Sequence, residues 1–292
     1  MRPPGTEGFF PGHDGTRLFY RLWSPEGAPR ATVAFVHGFG DHSGRHPNLV
    51  CGLSARGMEV CAFDLRGHGR SDGRRGHVDG WDDYREDLRR FLALVRRGRS
   101  DGHGGSAPPY GGGPPLFLMG HSMGGLIVLE FALRSPSELR GVIASSPAVG
   151  RLGVAPWKMS LGRLLSRLWP RFSMEAGLDS SGLSRDPDVR RAIRDDPLSH
   201  GRGTARLALE TTRAVEWTRE HAADLRVPLL LLHGGADIVV GPEACRTLYE
   251  NVRVPDKTRL EYEGAFHELD NDLGHERVVA DVAEWIECRS SA

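Results

Sequence analysis

The sequence predicts an α/β fold, a mostly parallel eight-stranded sheet flanked by helices. Three observations carry that expectation. Short apolar runs of strand length alternate along the chain with segments whose apolar residues recur at helical spacing. One such run, Pro115 to Met119, passes through Gly120-His-Ser-Met-Gly124 directly into a helical pattern. The chain has 292 residues, 39% hydrophobic and 26% charged, enough to build a substantial buried core.

The elements follow in order. Phe9 to Pro11 and Leu18 to Trp23, separated by His13-Asp14-Gly15, read as an opening hairpin. Ala31 to Val36 is a continuous apolar run, as expected of a strand buried on both faces. Leu49 to Arg56 is helical in pattern, and Met58 to Phe63 is the next strand. Asp82 to Arg97 reads as an amphipathic helix with Tyr84, Leu88, Phe91, Leu92 and Val95 on one face. Pro115 to Met119 and Gly141 to Ser145 are buried strands, Val227 to Leu232 and Thr258 to Tyr262 late ones, and Val278 to Cys288 a closing helix.

Two segments interrupt this rhythm. Gly98 to Pro115 is rich in Gly, Ser and Pro and is expected to be a mobile surface loop. Residues 149–225 carry helical patterns but no convincing strand. They are expected to form an inserted helical cap, leaving 1–148 and 226–292 as the core domain.

Composition narrows the function classes. Basic and acidic residues balance at 38 each, which argues against a dedicated nucleic-acid binder. No stretch approaches the ~18 consecutive apolar residues of a membrane span, and Met1-Arg2-Pro3-Pro4-Gly5 lacks a signal-peptide layout. The four cysteines, Cys51, Cys61, Cys245 and Cys288, form no CxxC pair and no metal-ligand spacing, so they are read as incidental thiols. A cytoplasmic protein is the expectation.

The chemistry starts at Ser122. It stands between Gly120 and Gly124 on the tight turn from strand to helix, the G-x-S-x-G arrangement of a nucleophile elbow. The turn aims the free N–H groups and positive dipole end of the new helix at whatever the serine attacks. A serine hydroxyl needs a base, and the base an orienting acid. Asp237 follows the strand Val227 to Leu232, and His267 follows Thr258 to Tyr262. The ordered set Ser122, Asp237, His267, each at a strand end, is far less accidental than any one of them. Asp270 and Asp272 are rival acids that follow His267, and Glu268 adjoins it too closely to curl back onto its ring.

An oxyanion hole needs two preorganised donors. The Met123 N–H follows the nucleophile, and the Phe39 N–H lies in the turn His37-Gly-Phe-Gly40 after the third strand. That turn is no dinucleotide fingerprint, because Ser43 occupies the place of the third glycine. There is no P-loop, and His267-Glu268 is not followed by a zincin histidine. The turn Asp64 to Ser71, the acids Asp79, Asp82 and Asp83, and His37 and His121 are read as structural braces and helix-start residues.

Several blocks together carry a family resemblance: His37 to Arg45 (HGFGDHSGR), Phe63 to Ser71, Arg75 to Asp79, Gly120 to Gly125, Ser145 to Pro147, Leu183 to Pro187, Asp196 to Leu198 and Gly264 to Glu268. Over nearly its whole length the chain resembles the monoacylglycerol lipase and lysophospholipase-like branch, the serine aminopeptidase S33-type group, of the α/β-hydrolases. The resemblance implies a triad at Ser122, Asp237 and His267, an oxyanion hole at Phe39 and Met123, and ester hydrolysis without metal or organic cofactor. The Gly/Pro-rich loop before the elbow strand is longer than the family pattern and touches no triad motif.

In the expected cap, Trp157, Leu161, Leu164, Leu165 and Leu168 share one apolar face, interspersed with Lys158, Arg163, Arg167 and Arg171. The face either contacts membrane or micelle surfaces and admits single-chain acyl esters, or packs on the domain below. The expected activity is hydrolysis of a single-chain lipid ester, foremost monoacylglycerol to fatty acid and glycerol, through an acyl-enzyme on Ser122. A lysophospholipase or broad carboxylesterase would use the same triad. A non-catalytic ligand-binding relative would have a damaged one. Oligomeric state is not encoded in any motif.

Overall fold

The computed structural model describes residues 5–100, 113–136, 139–150, 169, 171–175 and 180–290. Strands β1 (Gly5–Pro11) and β2 (Arg17–Trp23) form the opening hairpin, paired antiparallel with Phe9 opposite Phe19. Four more strands follow: β3 (Ala31–Val36), β4 (Met58–Phe63), β5 (Leu116–His121) and β6 (Gly141–Ser145). A short pair, β7 (Ser173–Glu175) and β8 (Arg202–Thr204), precedes the last two, β9 (Leu229–Gly234) and β10 (Lys257–Tyr262). The main sheet has eight strands in the order β1-β2-β4-β3-β5-β6-β9-β10. Only the β1–β2 and β2–β4 pairings are antiparallel.

The described helices are α1 (Pro47–Ala55), α2 (Trp81–Ser100), α3 (Met123–Arg134), α4 (Pro187–Asp195), α5 (Ala205–Glu220), α6 (Pro242–Asn251) and α7 (His275–Ser290). They cover both faces of the sheet, and the period-two alternation of the strands fills the two resulting cores. Ala34, Val36, Leu118, Leu229 and Leu231 point to the side of α2, α3, α5 and α6. Val33, Phe35, Phe117, Met119, Leu230 and Leu232 point to the side of α1 and α7. The predicted stripe of α2 is buried throughout, from Tyr84 to Val95. None of the described helices is long and apolar enough to cross a membrane.

Several boundaries differ from the sequence reading. The hairpin begins at Gly5 rather than Phe9, because main-chain pairing to Leu22 and Trp23 extends the strand past its apolar part. Helix α2 runs to Ser100, into the expected loop, whose residues 101–112 lie outside the described set. Within 149–225 the expectation of no strand is corrected by the antiparallel pair β7–β8. Each strand there is three residues long and one contains Gly203, so no apolar alternation announces it. The last helix of this segment, α5, is capped by the Thr204 hydroxyl, which accepts from Leu207 N–H. Its Leu207, Ala214 and Val215 belong to the same core as α3.

Candidate active site

The elbow is a single residue between two regular elements: β5 ends at His121 and α3 begins at Met123. Ser122 between them has φ 53° and ψ −117°, a strained left-handed seat for a residue with a Cβ. Close approach explains the flanking glycines. A Cβ on Gly120 would lie 2.3 Å from the Gly124 carbonyl oxygen, and one on Gly124 would lie 2.1 Å from that of Val36. The turn is fastened by the Ser122 N–H donating to Ser145 O (3.0 Å) and by Ser122 O accepting from Leu126 and Ala148.

His267 brings its Nε2 to 2.9 Å from Ser122 Oγ, and its Nδ1 lies 2.7 Å from Asp237 Oδ2. An ionised carboxylate only accepts hydrogen bonds, so Nδ1 carries the proton and Nε2 is left to accept from the serine hydroxyl. Asp237 Oδ1 accepts from the N–H groups of Val239 (2.8 Å) and Val240 (3.0 Å). Burial alone would push the Asp237 carboxyl up. Hydrogen bonds from His233 and His267 outweigh it and hold the group below the ordinary carboxylate range. The Ala236 N–H donates to Ala265 O (3.0 Å), tying the acid's loop to the base's. The three residues read from the sequence as a triad are thus one hydrogen-bonded chain.

His233 was not singled out by sequence. It is fully buried at the end of β9, with Nε2 2.8 Å from Val240 O and 3.2 Å from Asp237 Oδ2. It braces the acid's loop, and nothing in its apolar run marks it for that role.

The turn after β3 lies against the nucleophile: a Cβ on Gly38 would stand 3.2 Å from the Ser122 Cβ. Phe39 follows, its ring packed edge-on against His68 (5.9 Å) and His200 (5.7 Å). Met123 is the first residue of α3, where a backbone N–H has no acceptor within the helix. The turns that carry the two expected oxyanion donors therefore both adjoin the serine. His37 braces as expected: its ring bonds Gly38 O through Nδ1 (2.8 Å) and accepts the Leu65 N–H at Nε2 (2.9 Å).

The rival acids are all engaged elsewhere. Glu268 takes the guanidinium of Arg45 on both carboxylate oxygens at 2.7 Å. Asp270 bonds the buried ring of His46 at 2.8 Å, and Asp272 accepts from Arg185 and from the Phe266 N–H. His121 is buried beside the base, ring centroids 4.8 Å apart. Burial first, and His267 second, push it down to about 3, so it is neutral. The cap candidates Trp157, Leu161, Leu164, Leu165 and Leu168 lie outside the described residues.

Comparison with known proteins points to a family. The family model described as serine aminopeptidase, S33 matches residues 27–274. A monoacylglycerol lipase of Mycolicibacterium smegmatis is 33% identical over 283 residues, 96% of each chain. A caffeoylshikimate esterase of Arabidopsis thaliana is 30% identical over 286 residues, 93% of this chain and 82% of the relative. Among solved structures, that of Paleococcus ferrophilus monoacylglycerol lipase superposes with a TM-score of 0.82 at 33% identity, covering 93% of this chain and 99% of the other.

Proposed function

The chain belongs to the serine aminopeptidase S33 family of α/β-hydrolases, and from that membership we propose that it is a serine esterase cleaving monoacylglycerols to fatty acid and glycerol through an acyl-enzyme on Ser122. The observation that carries the reading is the hydrogen-bonded chain from Ser122 through His267 to Asp237 at a strained elbow. The monoacylglycerol lipases of similar length support the substrate class.

The geometry fits a two-step acyl transfer. Ser122 Oγ attacks the ester carbonyl carbon while His267 Nε2 takes its proton. Asp237 holds the ring's tautomer and stabilises the imidazolium. The developing oxyanion is met by the Phe39 and Met123 N–H groups, each worth roughly 3 kcal/mol by the general magnitude for such donors. The imidazolium protonates the departing glycerol oxygen, and water repeats the sequence on the acyl-enzyme. Replacing Ser122 with alanine is expected to lower kcat on the order of 10⁶-fold and to abolish labelling by a fluorophosphonate probe. Stoichiometric labelling of the alanine variant would move the nucleophile elsewhere.

A broad carboxylesterase is the second reading, favoured by the likeness to a caffeoylshikimate esterase. Turnover of monoacylglycerol, lysophosphatidylcholine and short aryl esters side by side decides among the lipase, lysophospholipase and esterase readings.

In this reading residues 149–225 form the cap and touch lipid aggregates. The support is a described edge of that segment where exposed Trp169 and Phe172 stand with Arg74, Arg171 and Arg202 around one groove, with exposed Met174 next along the chain on β7. Aspartate at both 169 and 172 is expected to reduce sedimentation with anionic vesicles. Undiminished binding by the folded variant would remove the membrane part of the reading.

A further inference from the structure

The loop that carries His267 and the turn that carries Phe39 are far apart in sequence, and hydrolysis needs both in register. Side chains link them. His46 Nδ1 lies 2.8 Å from Asp270 Oδ2, and its Nε2 lies 2.9 Å from Asp41 Oδ2. Arg45 bonds Asp41 at 3.0 Å and both oxygens of Glu268, and the Asn271 amide donates to Arg45 O at 3.0 Å. His46, Asp41 and Asp270 are all buried.

Both ring nitrogens of His46 face carboxylate oxygens. Ionised carboxylates accept and do not donate, so both nitrogens must carry protons. We infer that His46 is a positioning residue of the hydrolytic site, an imidazolium that joins the oxyanion turn to the loop of the base. The inference rests on the reading of Ser122 and His267 as nucleophile and base.

Its leverage is geometric. Asp41 also accepts from the N–H groups of His42 (2.7 Å) and Gly38 (3.4 Å), and Gly38 is the residue that lies against Ser122. Asp270 sits three residues past His267 in a short 3-10 turn (Leu269–Asn271). A shift of either acid therefore displaces a group meant to act on the same substrate carbonyl.

Other groups stand close to His46. Phe35 from β3 meets it edge-on at 4.5 Å, and neutral His121 from the end of β5 lies at 6.1 Å. Arg45, on its own turn, is paired to Asp41 and Glu268. Burial disfavours the His46 charge, but Asp270 and Asp41 overcome it and push the ring up to about 10.

The decisive measurement is ¹⁵N NMR of the full-length protein without substrate, with His46→Gln used for assignment. At about pH 8.5, well above the ordinary imidazole range, the His46 ring is expected to show both nitrogens protonated, in signals absent from the variant. A neutral, single-tautomer ring at that pH overturns the inference whatever the enzyme hydrolyses. Kinetics on p-nitrophenyl butyrate give the second readout. His46→Gln and the near-isosteric Asp270→Asn are expected to lower kcat by about tenfold or more with KM within about twofold, as misplaced catalytic groups do. A folded variant of either kind with unchanged kcat overturns it as well. Labelling of Ser122 is scored separately, so failure of the serine mechanism and failure of the His46 role give different results.

Discussion

His267 and His46 are both buried, both bonded at both ring nitrogens, and both packed against the ring of His121, yet they are set up for opposite tasks. Each has one nitrogen on a carboxylate: Asp237 for His267, Asp270 for His46. The difference is the second partner. His267 faces the Ser122 hydroxyl, which can give up a proton, whereas His46 faces Asp41, which cannot. In the proposed roles, one added carboxylate separates a general base from a cation. Burial and residue type alone would not have distinguished them.

Substitution at either histidine tests this difference. The larger effect is expected on the catalytic side. Asp237→Asn keeps the shape of the acid but offers an amide that can donate to Nδ1, favouring the wrong tautomer of His267. A loss of about 10⁴-fold in kcat is expected, as for the same change in other serine triads. Steady-state kinetics of a variant whose near-UV circular dichroism matches wild type measures it. A loss of less than about tenfold would mean that the carboxylate on His267 does not set its proton position.

The smaller effect is on stability and reads the His46 ring by pH. Folding raises His46 from 6.5 to about 10, so its contribution is complete below the unfolded value and is lost as pH climbs through about 10. Asp41 and Asp270 are lowered on folding, so theirs is complete above the ordinary carboxylate range and is lost on acidification. The urea unfolding free energy of wild type is expected to fall by roughly a few kcal/mol between neutral pH and 10. His46→Gln should make that fall shallower, leaving the part contributed by His233, which folding also raises to about 10. Parallel curves for the two proteins would show that the ring is not a cation in the native state.

The proposed triad was legible because each member sits just beyond a strand, and the strands before Ser122 and Asp237 are largely apolar runs. Val227 to Leu232 ends five residues before Asp237, and Thr258 to Tyr262 ends five before His267. The elbow was legible for a second reason: its glycines are demanded by backbone contact, so they are visible as letters. The His46 brace was not. Its partners are 5 and 224 positions away, and only the assembled sheet brings them together. Asp270 was weighed as a rival acid and set aside for its position after His267; it proves to belong to the other histidine. The β7–β8 pair escaped for want of length, since three residues carry no periodicity.

The hand of the turn at Ser122 has a further consequence. Threonine offers the same hydroxyl chemistry, but a second branch on Cβ is poorly tolerated at a φ of 53°. Cysteine, unbranched, could occupy the same seat. The backbone has therefore filtered the candidate nucleophiles by shape before reactivity is consulted, and the fold admits two of the three hydroxyl and thiol residues that could otherwise serve.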